Sequence, residues 1–143
     1  MIQIRRSAVV RYTPAQMFDL VNDVEAYPTR FAWCAAARVL ARDEHALTAR
    51  LDLRYAGITQ RFTTRNTMTP PGRLQLDLVE GPFRSLHGDW TFVPLGPAGC
   101  KVELELDFEY AGGLAGPLLR LGFQSLASRM VDDFCRVAGS VYG

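Results

Sequence analysis

Residues 101–110, KVELELDFEY, alternate without a break: Val102, Leu104, Leu106, Phe108 and Tyr110 share one parity, and Lys101, Glu103, Glu105, Asp107 and Glu109 the other. A period of two marks a β-strand with one face in a core and the other in water. Cost fixes its register, because a slip of one residue would bury the four carboxylates. Past a break at Gly112 and Gly113 the period changes. Pro117 opens a segment whose apolar residues Leu119, Phe123, Leu126, Met130, Phe134, Val137 and Val141 step by three or four, which is the stripe of an amphipathic helix. At ~1.5 Å per residue such a helix reaches about 37 Å, long enough to cross a whole sheet.

The rest of the chain supplies the sheet. Ile2 to Arg11 alternates as a strand, and TPAQ then switches the period. Thr13 reads as an N-cap, with Pro14 in the first helical position and Gln16 completing a capping box. Met17, Phe18, Leu20, Val21 and Val24 form the apolar face of a short helix, expected to end or kink at Tyr27 because Pro28 follows. From Trp33 to Tyr110, short β-type runs are separated by ARDEHA, Ala56-Gly57, TPPG, EGP and PLGPAG, giving six strands in a meander. The predicted fold is α+β: one domain over 1–143, with a curved seven-stranded antiparallel sheet wrapped around a long C-terminal helix and two short helices after strand 1. A gap left between sheet and helix would be lined by apolar side chains and would suit an apolar small molecule.

Composition narrows the partners. A net charge of +1 supplies no global field toward DNA or anionic lipid, and the arginines that make up fifteen of the sixteen basic residues are scattered through alternating segments. Cys34, Cys100 and Cys135 are odd in number and form no C-x-x-C pair, so no disulfide framework or zinc site is expected and a reducing cytoplasm fits. No apolar block of leader or membrane-span length occurs, so the chain is expected to be soluble and cytoplasmic.

Candidate chemistry is sparse. His45 lies in a polar turn. In GPFRSLHGDWTF, residues 81–92, parity places Leu86, Gly88, Trp90 and Phe92 inward, and His87 and Asp89 outward as neighbours on a solvated face. The carboxylates of strand 101–110 are expected to pair with Arg5 and Arg11 rather than converge as an acid–base pair. Asp132 and Asp133 diverge by about 100° on a helix. The cysteines sit among apolar neighbours and read as structural thiols. Glu80 continues an inward parity at a strand end, where it either meets a ligand hydroxyl or turns to solvent. No nucleophile elbow, P-loop or dinucleotide fingerprint is present. No catalytic residue and no metal site is assigned.

LVNDVEAYP, FAWCAAARVL, AGITQRFTTRN, LVEGPFRSLHGDWTFVPL and CKVELELDFEY, followed by the closing helix, occur in an order that resembles the RatA and coenzyme Q-binding protein family of the START-like, polyketide cyclase-like superfamily. Ala32 stands where relatives often have proline, and His87 and Asp89 where they are frequently aliphatic or small. The resemblance implies a helix-grip fold and two functions. One is a non-enzymatic carrier of a polyprenyl quinone such as ubiquinone, or another isoprenoid lipid, supporting respiration or quinone biosynthesis. Its pocket would be lined by Tyr27, Phe31, Trp33, Phe62, Leu76, Leu86, Trp90, Phe92, Leu106, Phe108, Phe123, Leu126 and Met130, and transient membrane contact belongs with it. The other is a ribosome association toxin of a toxin–antitoxin pair, which binds the large ribosomal subunit and blocks subunit joining. That requires a basic face, for which Arg50, Arg54, Arg61 and Arg65 are the candidates, with Asp52 interrupting them. The carrier is the reading favoured by the sequence. A cyclase or dehydratase, the third reading, lacks convergent acid–base residues.

Overall fold

A computed structural model describes residues 1–55, 57–112 and 116–143, with the backbone alone for 117–119. Ala56, Gly113 and the side chain of Leu119, each assigned a place from the sequence, lie outside the described residues. In chain order the elements are β1 (Ile2–Val10), α1 (Pro14–Asn22), a 3-10 turn (Val24–Ala26), α2 (Tyr27–Arg30), β2 (Cys34–Arg42), β3 (Ala46–Tyr55), β4 (Ile58–Thr69), β5 (Arg73–Glu80), β6 (Phe83–Leu95), β7 (Gly99–Tyr110) and α3 (Pro117–Tyr142). The strands form one antiparallel sheet in the order β1-β7-β6-β5-β4-β3-β2. Each expected turn joins neighbours, and the first strand closes against the last.

β7 lies between β1 and β6 and buries Val102, Leu104, Leu106 and Phe108, as its alternation requires. Its outer carboxylates face β1 on one side, where Arg5 meets Glu105 at 3.6 Å. Arg11 falls beyond the last residue of β1 and pairs with none of them among the described residues.

Thr13 caps α1 through the full capping box: its hydroxyl accepts from the Gln16 amide at 3.2 Å, and its own amide donates to Gln16 Oε1 at 2.8 Å. The helix ends sooner than the apolar pattern suggests. Asp23, at φ −83° and ψ 66°, breaks it, and Val24 is buried from the 3-10 turn instead. Tyr27 is helical, at φ −54° and ψ −43°, despite the proline that follows. Pro28 occupies the first turn of α2, where its missing donor has no partner to lose, so it opens a helix rather than closing one.

α3 lies across the concave face and sinks two rings into it. Phe134 meets Tyr27, Phe31 and Trp90 with ring centroids at 5.4, 4.7 and 5.3 Å. Phe123 meets Phe83, Phe108, Phe62 and Tyr110 at 4.8, 5.0, 6.4 and 6.4 Å. Burial of each ring stabilises the grip by roughly 1.5–3 kcal/mol. The last turn runs past the core, so Val141, expected in the apolar stripe, is 45% exposed, while the Tyr142 hydroxyl ties that end to the Gln16 carbonyl at 2.8 Å. No helix among the described residues is long and apolar enough to cross a membrane.

Near its start α3 approaches β3 so closely that a Cβ on Gly122 would stand 2.5 Å from Cδ1 and 3.0 Å from Cβ of Tyr55. Replacing a helical glycine with alanine ordinarily stabilises a helix by about 1 kcal/mol. Here the sign reverses. Gly122→Ala is expected to destabilise by roughly 1–3 kcal/mol in denaturant titrations, because the ring base cannot move without displacing β3 or the helix. Tyr55→Ala in the same background should remove that penalty.

Candidate functional site

Between the two aromatic anchors α3 presents Leu126 and Met130, and a cavity of about 70 Å³ lies between them and the sheet. Of the thirteen residues that the sequence assigns to a pocket, ten border it: Tyr27, Trp33, Phe62, Leu76, Leu86, Trp90, Leu106, Phe123, Leu126 and Met130. Phe31, Phe92 and Phe108 point inward as well but pack elsewhere. Phe31 stacks on Trp33 at 4.7 Å, Phe92 meets the edge of Phe18 at 6.0 Å, and Phe108 fills the space between Phe83 and Phe123. Parity selects the face of a strand, whereas the position of the helix anchors decides which inward residues meet rings and which meet the gap.

The lining also contains residues that sequence reasoning passed over, among them Val21, Val24, Leu53, Leu74 and Leu104. Two are polar. Thr64 and Asn66 are 6% and 4% exposed, and the Thr64 hydroxyl donates to Asn66 Oδ1 at 2.7 Å. The signal for them was available, since Asn66 shares the inward parity of Phe62 and Met68 and a buried amide needs partners. A smaller void of about 20 Å³ lies under the β3–β4 hairpin and shares Leu53, Phe62, Phe123 and Leu126 with the cavity. Sites for drug-sized ligands run to roughly 300–1,000 Å³, so the space holds little more than a few atoms as it stands.

The cavity offers almost no acid–base chemistry. Tyr27 is the titratable residue among those lining it; its hydroxyl donates to the Val21 carbonyl, and burial holds the proton on. The thiols of Cys34 and Cys135 are pushed up to about 11, chiefly by burial, and so stay protonated and unreactive at neutral pH. At Gly88 an added Cβ would come 3.1 Å from Leu106 and 3.3 Å from Leu76, so this glycine lets two cavity-lining leucines close over β6.

The outer face of the sheet is divided by charge. Pairing puts Arg38 directly opposite Arg50, Asp52 opposite Arg61, Arg54 opposite Thr59 and Arg65 opposite Thr48, so all of these project from one face of β2, β3 and β4. The four arginines expected there are present, and Arg38 joins them. Asp52 does not break the patch: at 16% exposure it underlies it, accepting Arg61 Nε at 3.1 Å with Arg50 Nε at 4.0 Å. The other half of the sheet carries Asp77, Asp89, Glu103, Glu105, Asp107 and Glu109, where Arg73, Arg84 and Lys101 each pair with a carboxylate. Glu80 turns to solvent.

His87 sits in the acidic half, outward as expected. Its Nδ1 lies 2.7 Å from Asp77 Oδ1 and its Nε2 3.2 Å from Asp89 Oδ2. Asp89 also accepts from Arg73 Nε at 2.8 Å, Asp107 stands opposite His87 on β7, and Arg65 stands opposite Asp77 on β4. A neutral imidazole has one N–H, so only the imidazolium donates to both carboxylates. The bond to Asp77 is the main cause that raises its pKa, against partial burial and with help from Asp89.

The model of the family described as polyketide cyclase / dehydrase and lipid transport matches residues 10–135. The chain is 44% identical over 140 residues to the ribosome association toxin RatA of Pseudomonas aeruginosa, covering 98% of this chain and 97% of that protein. It is 26% identical over 147 residues to the mitochondrial coenzyme Q-binding protein COQ10 homolog B of Xenopus laevis, covering 99% of this chain and 60% of that one. Among solved structures, the Zhui aromatase/cyclase from Streptomyces sp. R1128 superimposes with a TM-score of 0.84 at 16% identity, covering 96% and 93% of the two chains.

Because the folded pKa of His87 is raised above the ordinary 6.5, its contribution to stability is complete below 6.5 and is lost as pH rises through the folded value. His87→Ala should therefore lower the melting temperature in mildly acidic buffer, above the carboxylate range, and have little effect in alkaline buffer. Melts of both proteins across that range check it; a difference that grows with pH would contradict the assignment.

Proposed function

The chain belongs to the polyketide cyclase / dehydrase and lipid transport family, and from that premise we propose that it binds the large ribosomal subunit through the outer face of β2–β4 and blocks subunit joining, as a cytoplasmic, non-enzymatic protein. The observation that carries this is the segregation of charge: five arginines against one carboxylate on that face, in a chain whose net charge is only +1. Like charges directly across a strand pair cost stability, and Arg38 facing Arg50 is such a pair. A surface that bears this cost, and that orders two guanidiniums on Asp52, is built to meet an anion. RNA phosphates suit bidentate guanidinium recognition. The relatives named ribosome association toxin support the same reading, at identities above 40%. The described residues lining the cavity include no acid–base pair, which favours binding over cyclase chemistry.

Large subunits mixed with the protein and run through a low-salt gradient should carry it with them. Binding should weaken steeply with salt, and Arg54→Glu with Arg61→Glu should lower the salt slope by about 1 per residue and release the protein. Free protein at the top of a low-salt gradient would remove this function.

The buried Thr64–Asn66 pair supports a second reading, an apolar molecule with one polar group held between sheet and α3. Ubiquinone or another isoprenoid lipid is the class suggested by the coenzyme Q-binding relative. A cavity of about 70 Å³ requires α3 to move before a quinone head group fits. Organic extraction of the natively expressed protein followed by mass spectrometry is expected to yield a polyprenyl quinone if this holds. A clean extract with no thermal stabilisation by added ubiquinone would count against it.

A further inference from the structure

Pairing of β4 with β5 stops at Thr63 opposite Glu80, after a bulge that leaves Val79 without a counterpart on β4. From 58 to 62, β4 therefore has β3 on one side and, among the described residues, no strand on the other. The turn at Gly81 and Pro82 drops into this notch, and it gets there because Gly81 has no side chain; an added Cβ would stand 2.7 Å from that of Phe62. The result is a groove of about 500 Å³ on the outer side of the sheet, bordered by Arg50, Arg61, Thr63, Glu80, Leu40 and Pro82. It is several times larger than the interior cavity and within the size range of sites that hold a small molecule.

The groove lies inside the basic patch and is chemically two-sided. Arg38, Arg50, Thr63 and Glu80 form one row across β2, β3, β4 and β5, so Arg50 and the carboxylate stand two strands apart, with Arg61 on the strand between them. Arg50 and Arg61 are oriented by Asp52, and Glu80 pairs with no cation among the described residues. Pro82 gives an apolar surface on the Glu80 side, and Leu40, 49% exposed on β2, borders the groove beyond Arg50. A carboxylate only accepts hydrogen bonds. Among the RNA bases, guanine alone sets two N–H donors, N1 and N2, side by side on its Watson–Crick edge, matching the two oxygens of one carboxylate. Single-stranded RNA offers such edges when a base is splayed out of its stack.

We propose that this groove takes a guanine nucleotide unstacked from a single-stranded segment of RNA. Its phosphate lies on Arg50 and Arg61, its base lies against Pro82, and its N1–H and N2–H donate to Glu80. The proposal deepens the ribosome reading and rests on it for the identity of the RNA.

The probe is a labelled oligouridine of about eight nucleotides, with one central residue replaced by G, A or C, titrated by fluorescence anisotropy at low salt. The wild-type protein should bind the G-containing strand about tenfold more tightly than the other three, as a bidentate base contact allows. Glu80→Gln, a change at an exposed position, should erase that preference while leaving affinity for plain oligouridine equal or higher. Arg50→Glu with Arg61→Glu should abolish binding of every strand. Equal affinity of wild type for all four strands, or a G preference that survives Glu80→Gln, would overturn the proposal. Binding of GMP as tight as the G-containing strand would overturn the RNA strand as occupant. A G preference without co-sedimentation would leave the groove standing and the ribosome reading fallen, and co-sedimentation without the preference would do the reverse.

Discussion

Everything in this molecule hangs on two phenylalanines spaced eleven residues apart on one helix. Phe123 and Phe134 are three turns apart and fall on the same side of α3, about 16 Å along its axis. Each enters a ring cluster built from the sheet or from the α2 segment, and Leu126, Ala127, Val131, Val137 and Ala138 bury the helix between and beyond them. Between the two rings Ala127 and Val131 pack into the core, and the cavity is confined to the side that Leu126 and Met130 present to the sheet. The curvature of the sheet follows from the same demand. A flat sheet would reach one anchor or the other, and the bulges in β2, β4–β5 and at the start of β6 bend it toward both.

The division of labour between the faces follows. The concave face is committed to the grip and is largely apolar; its buried polar side chains Thr64 and Asn66 bond each other, and the Trp33 indole N–H donates to Asp133 of α3 at 3.1 Å. Chemistry that needs exposed charge is left to the convex face. There β-strand geometry sets side chains from neighbouring strands side by side, so residues distant in sequence make a continuous surface. Asp52 illustrates the economy of the arrangement: one carboxylate at 16% exposure orients two guanidiniums, where an exposed pair would fix neither.

Much of the fold was legible because alternation and 3.6-residue periodicity are local properties. β7 and the capping box of α1 are each written within a dozen or fewer contiguous residues, and the length of α3 within one unbroken periodic run of 26. The stretch 81–92 resolved in the same way, with Leu86, Trp90 and Phe92 inward and His87 outward. What was not legible depends on distance. Asp77 as the principal partner of His87 requires the β5–β6 register, and Arg38 in the basic patch requires the β2–β3 register through two bulges. Pro28 taken alone disfavours a helix at the residue before it, yet the chain uses it as a helix start. Gly122 carries no sequence signal, because its need arises from the base of the Tyr55 ring on a different element. Phe31, Phe92 and Phe108 were assigned to the gap for their inward parity, and only the helix anchors show that they fill the core instead. The volume of the gap is likewise a difference between large packed volumes, which no local pattern reports.

A net charge of +1 describes this surface poorly, because it is the remainder of two opposed halves. The monopole is nearly absent, while the carboxylates gather toward β6–β7 and the arginines toward β2–β4, which leaves a charge gradient across the sheet. Such a molecule gains little speed in approaching a polyanion from afar. Within a Debye length it feels a torque, so that it arrives already turned, arginines first and carboxylates away. Orientation, rather than attraction, is what the charge pattern supplies.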